Sequence, residues 1–256
     1  MRIVIKIGTS TLAHQTGHLN IRRVEEICKV ISDVKNAGHQ VILVSSGAIG
    51  MGIGKLGLPG RPDDIPTKQA SAAVGQCELM YTYDKLFSEY NHTVGQLLIT
   101  GADIENEVRH TNFSNTINRL IQLDAIPIIN ENDTVATDEI VIGDNDTLAA
   151  IVAKSVSADL LIVMSDIDGL YTADPHKDLN ATLIHTVTAV DDRISALAGT
   201  NGTKLGTGGM ITKLKAAKIC MDSGCDMVIT NGENPLNIYD ILDNKPIGTR
   251  FIAKAD

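Results

Sequence analysis

Six short apolar runs, at residues 2–7, 40–46, 93–99, 125–130, 159–164 and 226–230, recur along the chain, each closed by polar or glycine-rich residues. Continuous apolar runs of this length read as strands buried on both faces, the pattern of a parallel sheet. Helical spacing fills the intervals. Ile21, Val24, Ile27, Cys28, Ile31 and Val34 fall on one face of a helix that Asn20 is placed to cap. Ala70, Ala73, Val74, Cys77, Met80 and Tyr81 mark a second amphipathic helix, and Met210, Leu214, Ala217 and Met221 a later one. Strand and helix alternate, so the expected class is α/β, with helices flanking a mostly parallel central sheet.

A length of 256 residues suits one large α/β domain or two small ones. Hydrophobic residues make up 43% and charged residues 21%, without a low-complexity tract, which argues against a long disordered stretch. The net charge of −9 argues against a broad nucleic-acid or anionic-membrane surface, so any bound phosphate must be held locally. The opening MRIVIKIG runs straight into the first strand and no apolar span approaches membrane length, so a cytoplasmic protein is expected. Cys28, Cys77, Cys220 and Cys225 are spaced too widely for a CxxC pair and are expected to be buried, reduced thiols.

In an open α/β sheet, ligands sit beyond the carboxyl ends of the strands, so polar residues there carry the functional argument. The first strand ends in KIGTS, with Lys6 at its end and Gly8, Thr9 and Ser10 in a turn whose amides could face a phosphate. An edge-strand solubilising charge accounts for Lys6 equally well, but a lysine in a central strand needs a partner or an anionic ligand. The second strand ends in SSGAIG, where Ser45, Ser46 and Gly47 precede a helix start at Ala48 and can cap, bind or both. Gly52, Gly54 and Gly57 match a GxGxxG spacing, yet they do not join a strand to a helix. Residues 54–66 (GKLGLPGRPDDIP) instead read as a flexible loop and candidate lid.

The stretch INENDTVATDEIVIGDNDTLAA is the least ordinary, with Asn130, Glu131, Asn132, Asp133, Asp144, Asn145 and Asp146 clustered after a strand. Burying such groups unpaired would cost several kcal/mol each, on the order of the whole stability margin, so they must meet solvent, cations or ligand. Capping of a helix beginning near Thr147 explains one of them but not all. Residues 133–143 and 170–187 read as short hairpin excursions. DNDT lacks the glycine and terminal glutamate of a calcium loop. SDIDGLYTADP, from Ser165, suits either a plain hairpin loop or a nucleotide's base and ribose. GTGGMITK sets three glycines before a helix, where free amides bind anions, though no GK[ST] closes it as a Walker motif.

Taken in order, KIGTS, SSGAI, INEND, GDND, GLYTADP and GTGGM resemble the amino-acid kinase superfamily, and within it the glutamate 5-kinase family, over nearly the whole chain. The resemblance implies a three-layer α/β/α sandwich and ATP-dependent phosphorylation of the γ-carboxylate of L-glutamate, a step toward proline. By similarity, Lys6 and Lys213 would neutralise the transferring phosphoryl group and Asp146 would orient both lysines. Ser46, Asp133, Asn145 and Asp144 match the glutamate positions, Asp133 toward the ammonium and the Asn145 amide toward the carboxylates. Lys6, Gly8, Ser165, Asp166, Thr207, Gly208, Gly209, Met210, Ile211, Thr212 and Lys213 match the ATP-binding segments, with Mg2+ arriving on ATP. The resemblance further implies a homo-oligomer, dimer or tetramer, and hand-over of the labile product to a reductase. Many relatives carry a C-terminal PUA module; residues 1–256 are expected to form the kinase domain alone.

Overall fold

The computed structural model describes residues 1–14, 16–135, 145–175, 177–198 and 209–254. The elements run β1 (Arg2–Ile7), α1 (Thr9–Leu12), α2 (Ile21–Asn36), β2 (Gln40–Ser45), α3 (Ala48–Leu56), α4 (Ile65–Ser88) and β3 (Val94–Ile99). Then come α5 (Gly101–Glu105), α6 (Glu107–Gln122), β4 (Ile126–Glu131), α7 (Asn145–Ser155), β5 (Leu160–Ser165) and β6 (Thr186–Val187). The chain closes with α8 (Asp192–Leu197), α9 (Met210–Asp222), β7 (Asp226–Asn231), α10 (Asn237–Leu242) and β8 (Thr249–Phe251). All six expected strands are present. Asn20 caps α2 by accepting from the Arg23 amide, and within 170–187 Tyr171 is bridged antiparallel to Leu183, as a hairpin excursion requires.

Among the described residues one sheet contains eight strands, in the order β3-β4-β2-β1-β5-β7-β8-β6. Every pairing is parallel except β7 with β8. Side chains alternate across a strand, so each strand feeds two cores. Ile3, Ile5, Leu43, Ile162 and Val228 pack with α2, α4 and α10 on one face. Val4, Val44, Ile129, Val163 and Ile229 pack with α6, α7 and α9 on the other. The result is the expected three-layer α/β/α sandwich. β1 lies in its middle, between β2 and β5, which removes the edge-strand explanation for Lys6. Alternation puts Lys6 on the face of Val4, toward α7 and α9.

Several expectations need correction. Ile21 is exposed although the rest of its stripe on α2 is buried. Helix α4 exists, but its buried face is Ser71, Ala72, Gly75, Gln76, Leu79, Tyr83 and Phe87, while Ala70, Ala73, Cys77 and Tyr81 point outward. Cys77 is therefore an exposed thiol, unlike Cys28, Cys220 and Cys225. The cause is close packing of α3 on α4: a methyl group on Gly75 would overlap the Ala48 carbonyl, and one on Gly52 the Ser71 carbonyl. Gly52 and Gly54 accordingly lie inside helix α3, and only Gly57, with φ 65°, ends it. The loop is thus 57–64 rather than 54–66. Helix α7 is described from Asn145, two residues before the expected Thr147. Short β6 and β8 escape the sequence reading. Most of the 133–143 excursion lies outside the described residues.

Candidate active site

Three elements from distant parts of the chain deliver one charge cluster. Lys6 comes from the central strand, Asp146 from the first turn of α7, and Lys213 from the first turn of α9. Lys6 Nζ lies 2.7 Å from Asp146 Oδ1, and Lys213 Nζ lies 3.1 Å from Asp146 Oδ2. All three side chains are buried. Burial works against the Asp146 carboxylate, but the two ammonium groups outweigh it and hold its carboxyl below the usual value. Two ammonium groups thus meet at one carboxylate in a poorly solvated place, an arrangement suited to holding an anionic ligand.

Backbone without side chains surrounds this cluster. Gly8 follows β1, and a Cβ placed on it would lie 3.6 Å from Lys6 Nζ and 3.4 Å from the Met164 carbonyl oxygen. Gly209 begins α9 in an extended conformation with no side-chain cap on the first turn. Met210, Ile211 and Thr212 follow in that turn. The Thr212 hydroxyl sits 3.1 Å from Asp146 Oδ2 and 2.7 Å from the Gly209 carbonyl oxygen, which ties the helix start to the lysine pair. Ser165 ends β5 beside β1, its hydroxyl donating to Asp166 at 3.1 Å. Thr207 and Gly208 lie outside the described residues, as does Asp144.

Beside the charge cluster runs a chain of amides. Ser46 extends the β1–β2 ladder by donating its amide to the Ile7 carbonyl at 3.0 Å, and Gly47 turns the chain with φ 100° into α3. The Ser46 hydroxyl accepts from Asn145 Nδ2 at 2.8 Å. Asn145 Nδ2 also donates to Asn130 Oδ1 at 3.2 Å, and Asn130 Nδ2 donates to Gln76 Oε1 at 2.9 Å. Both N–H groups of Asn145 are thereby engaged within this chain of polar groups. Its Oδ1 is buried without a hydrogen-bond partner among the described residues.

Asp133 follows β4 and is partly buried. Burial pushes its carboxyl above the usual value, and the charge of Arg61, from the 57–64 loop, works the other way. Sequence reasoning misses Gln76 altogether and names Asn130 only as part of a polar cluster. Asn130 is 2% exposed and Gln76 7%. Among the described residues, no three His, Cys, Asp or Glu side chains gather into a metal-binding set, and no helix is long and apolar enough to cross a membrane.

The model of the amino acid kinase family matches residues 1–231. A glutamate 5-kinase from Listeria monocytogenes serovar 1/2a is 50% identical, with 100% of this chain and 94% of that protein covered. Another, from Clostridium acetobutylicum, is 54% identical, covering 99% of this chain and 95% of the relative. Among solved structures, carbamate kinase from Giardia lamblia bound to AMP-PNP superposes with a TM-score of 0.70 at 16% identity, covering 99% of this chain and 98% of that one. Isopentenyl phosphate kinase from T. acidophilum superposes with a TM-score of 0.65 at 19% identity, covering 98% and 100%. The two structures speak for the fold and the sequence relatives for the branch: the chain belongs to the amino acid kinase family, among its glutamate 5-kinases.

Proposed function

We propose that this protein transfers the γ-phosphoryl group of ATP to the γ-carboxylate of L-glutamate, giving γ-glutamyl phosphate and ADP. The observation that carries the reading is the buried Lys6–Asp146–Lys213 cluster, which gathers two ammonium groups on one carboxylate beside glycine-lined backbone. Phosphoryl transfer spreads negative charge over the equatorial oxygens of the moving group and leaves little covalent work to the protein. Preorganised cations suit that task. A γ-carboxylate oxygen attacks the γ-phosphorus, and the bond from that phosphorus to the β,γ-bridging oxygen breaks. The carboxylate is already a nucleophile, so no general base is needed. Asp146 holds both lysines in place as their positioning residue.

ATP lies along the Gly8 turn, the Ser165–Asp166 strand end and the start of α9, where Gly209, Met210, Ile211, Thr212 and Lys213 offer amides and charge to the phosphates. Thr207, Gly208 and Asp144 belong to the same reading by resemblance. Mg2+ neutralises phosphate charge when bound. Its ligands would be phosphate oxygens and water. Asp133 takes the substrate ammonium, and Ser46 and Asn145 line the same pocket. We read the chain as one amino-acid kinase domain, supported by a sheet that takes β1 and β8 from its two ends. Assembly into dimers or tetramers, a cytoplasmic setting and hand-over of the acyl phosphate to a reductase complete the proposal.

ADP release by the purified protein, with Mg-ATP and L-glutamate, aspartate or N-acetylglutamate, tests it. Hydroxylamine is added to trap any acyl phosphate. Glutamate-dependent ADP with γ-glutamyl hydroxamate is the expected result. Turnover with another acceptor would refute the substrate, and silence with all three would refute the activity.

A further inference from the structure

The amide chain has a direction that can be read from one backbone group. The Glu131 N–H donates to Asn130 Oδ1 at 2.9 Å, so that atom is an oxygen and the other end of the amide is the donor. Asn130 Nδ2 therefore faces Gln76 Oε1, and the Gln76 amide nitrogen is left over. Gln76 Nε2 is buried and has no hydrogen-bond partner among the described residues. In the opposite direction, Asn130 Oδ1 requires a donor from Asn145, which fixes Asn145 Nδ2 toward it and leaves Asn145 Oδ1 over. One buried donor and one buried acceptor thus stand at opposite ends of the same chain. Unpaired buried amide groups are costly, and a native site that keeps two reserves them for a partner.

Placement says which part of an amino acid Gln76 would meet. Asn145 adjoins Asp146 in the first turn of α7, on the lysine side of the sheet. Gln76 lies on α4, which packs on the opposite face. An acceptor whose γ-carboxylate reaches the lysines has its α-substituents at the far end, toward Gln76. Resting on the glutamate kinase reading above, we infer that Gln76 is a specificity-determining residue: Gln76 Nε2 donates to the α-carboxylate of the bound amino acid. The polarity of the site is thereby set by the Glu131 backbone amide through two side-chain amides.

Gln76→Glu separates this from a scaffold role, because glutamate retains an oxygen for Asn130 Nδ2 and replaces only the free donor by an anionic oxygen. The KM for L-glutamate should rise about 10- to 100-fold, while the KM for ATP stays within about 2-fold. L-isoglutamine, whose α-carboxamide can donate to the new carboxylate, should gain relative to L-glutamate by at least about 10-fold in kcat/KM. Gln76→Leu should raise the glutamate KM similarly without the gain for isoglutamine. An unchanged glutamate KM in either folded variant, or an ATP KM that rises in step, overturns the inference and leaves Gln76 a scaffold for Asn130. Should neither variant fold, the wild-type protein decides with 4-aminobutyrate, which lacks the α-carboxylate: kcat/KM equal to that of glutamate would exclude an α-carboxylate contact, and a loss of at least about 100-fold supports it. Failure of the wild type to form γ-glutamyl hydroxamate would instead remove the reading on which the inference rests.

Discussion

Lys213 and Asp146 stand 67 residues apart in sequence and 3.1 Å apart in space, joining the first turn of α9 to the first turn of α7. The contact makes two helices that pack on the same face of the sheet present their N-terminal turns to one point. Lys6 reaches that point from the sheet itself.

Removing one cation tests the charge argument directly. Lys213→Ala keeps the Lys6–Asp146 pair and deletes a donor aimed at the transferring group, so kcat should fall by on the order of 100-fold or more. Circular dichroism and the thermal transition should report a folded protein. Turnover near the wild-type rate would remove Lys213 from the chemistry.

Asp146→Asn is expected to behave differently, because it takes from two buried ammonium groups the carboxylate they share. Breaking a buried pair in this way costs roughly 3 to 5 kcal/mol, so stability should fall along with turnover. The acid response gives an independent check. The folded carboxyl is held below its usual 3.8, so its contribution is complete above that value and is lost as pH falls through the lower folded one. Denaturant titrations across this acid range should show a steeper loss in wild type than in Asp146→Asn; parallel curves would contradict it.

Asp133 titrates with the opposite sign. Burial raises its carboxyl above 3.8, and only the ionised form can pair with an ammonium ion. The glutamate KM should therefore rise as pH falls toward that raised value, with the ATP KM unaffected by this group. Asp133→Asn should raise the glutamate KM at neutral pH by about 10- to 100-fold and flatten the acid limb. A variant that keeps the acid limb would assign it to another group.

Much of this arrangement is legible in the sequence. Lys6 stands out because an ammonium in RIVIKIG has no place in a central strand without a counter-charge, and alternation then dictates the face it occupies. Asp146 stands out through the density of polar residues around it. What stays hidden is the phase of α4. Alanine, serine and glycine differ little in hydropathy, so Ala70 and Ala73 look as good a core stripe as Ser71, Ala72 and Gly75. The true stripe is selected by how near α3 can come, which is a property of backbone contact and not of hydrophobicity. With the phase misread, Gln76 does not register as a polar residue on a buried face, the one local signal that marks it. Strands β6 and β8, of 2 and 3 residues, carry too little pattern to be seen.

That close approach of α3 and α4 links packing to the substrate side of the site. A methyl group at Gly75 would meet the Ala48 carbonyl and the Gly52 amide, both backbone, so no side chain can swing away to admit it. Helix α3 would have to shift, and its first residue follows the Ser46–Gly47 turn that receives Asn145. Gly75 also precedes Gln76, so the same displacement pulls on the amide chain from its other end. Gly75→Ala should destabilise the protein by about 1 to 3 kcal/mol, as overpacking does, despite the better helix propensity of alanine. Kinetically, it should raise the glutamate KM more than the ATP KM, because the seam adjoins the Ser46–Gly47 turn and Gln76, whereas the proposed nucleotide side is built on α9 and β5. Thermal denaturation and the two KM values measured on the same preparation check it. A stabilised protein with unchanged kinetics would mean that the α3–α4 seam has slack, and that the small residues along it are not what positions Ser46.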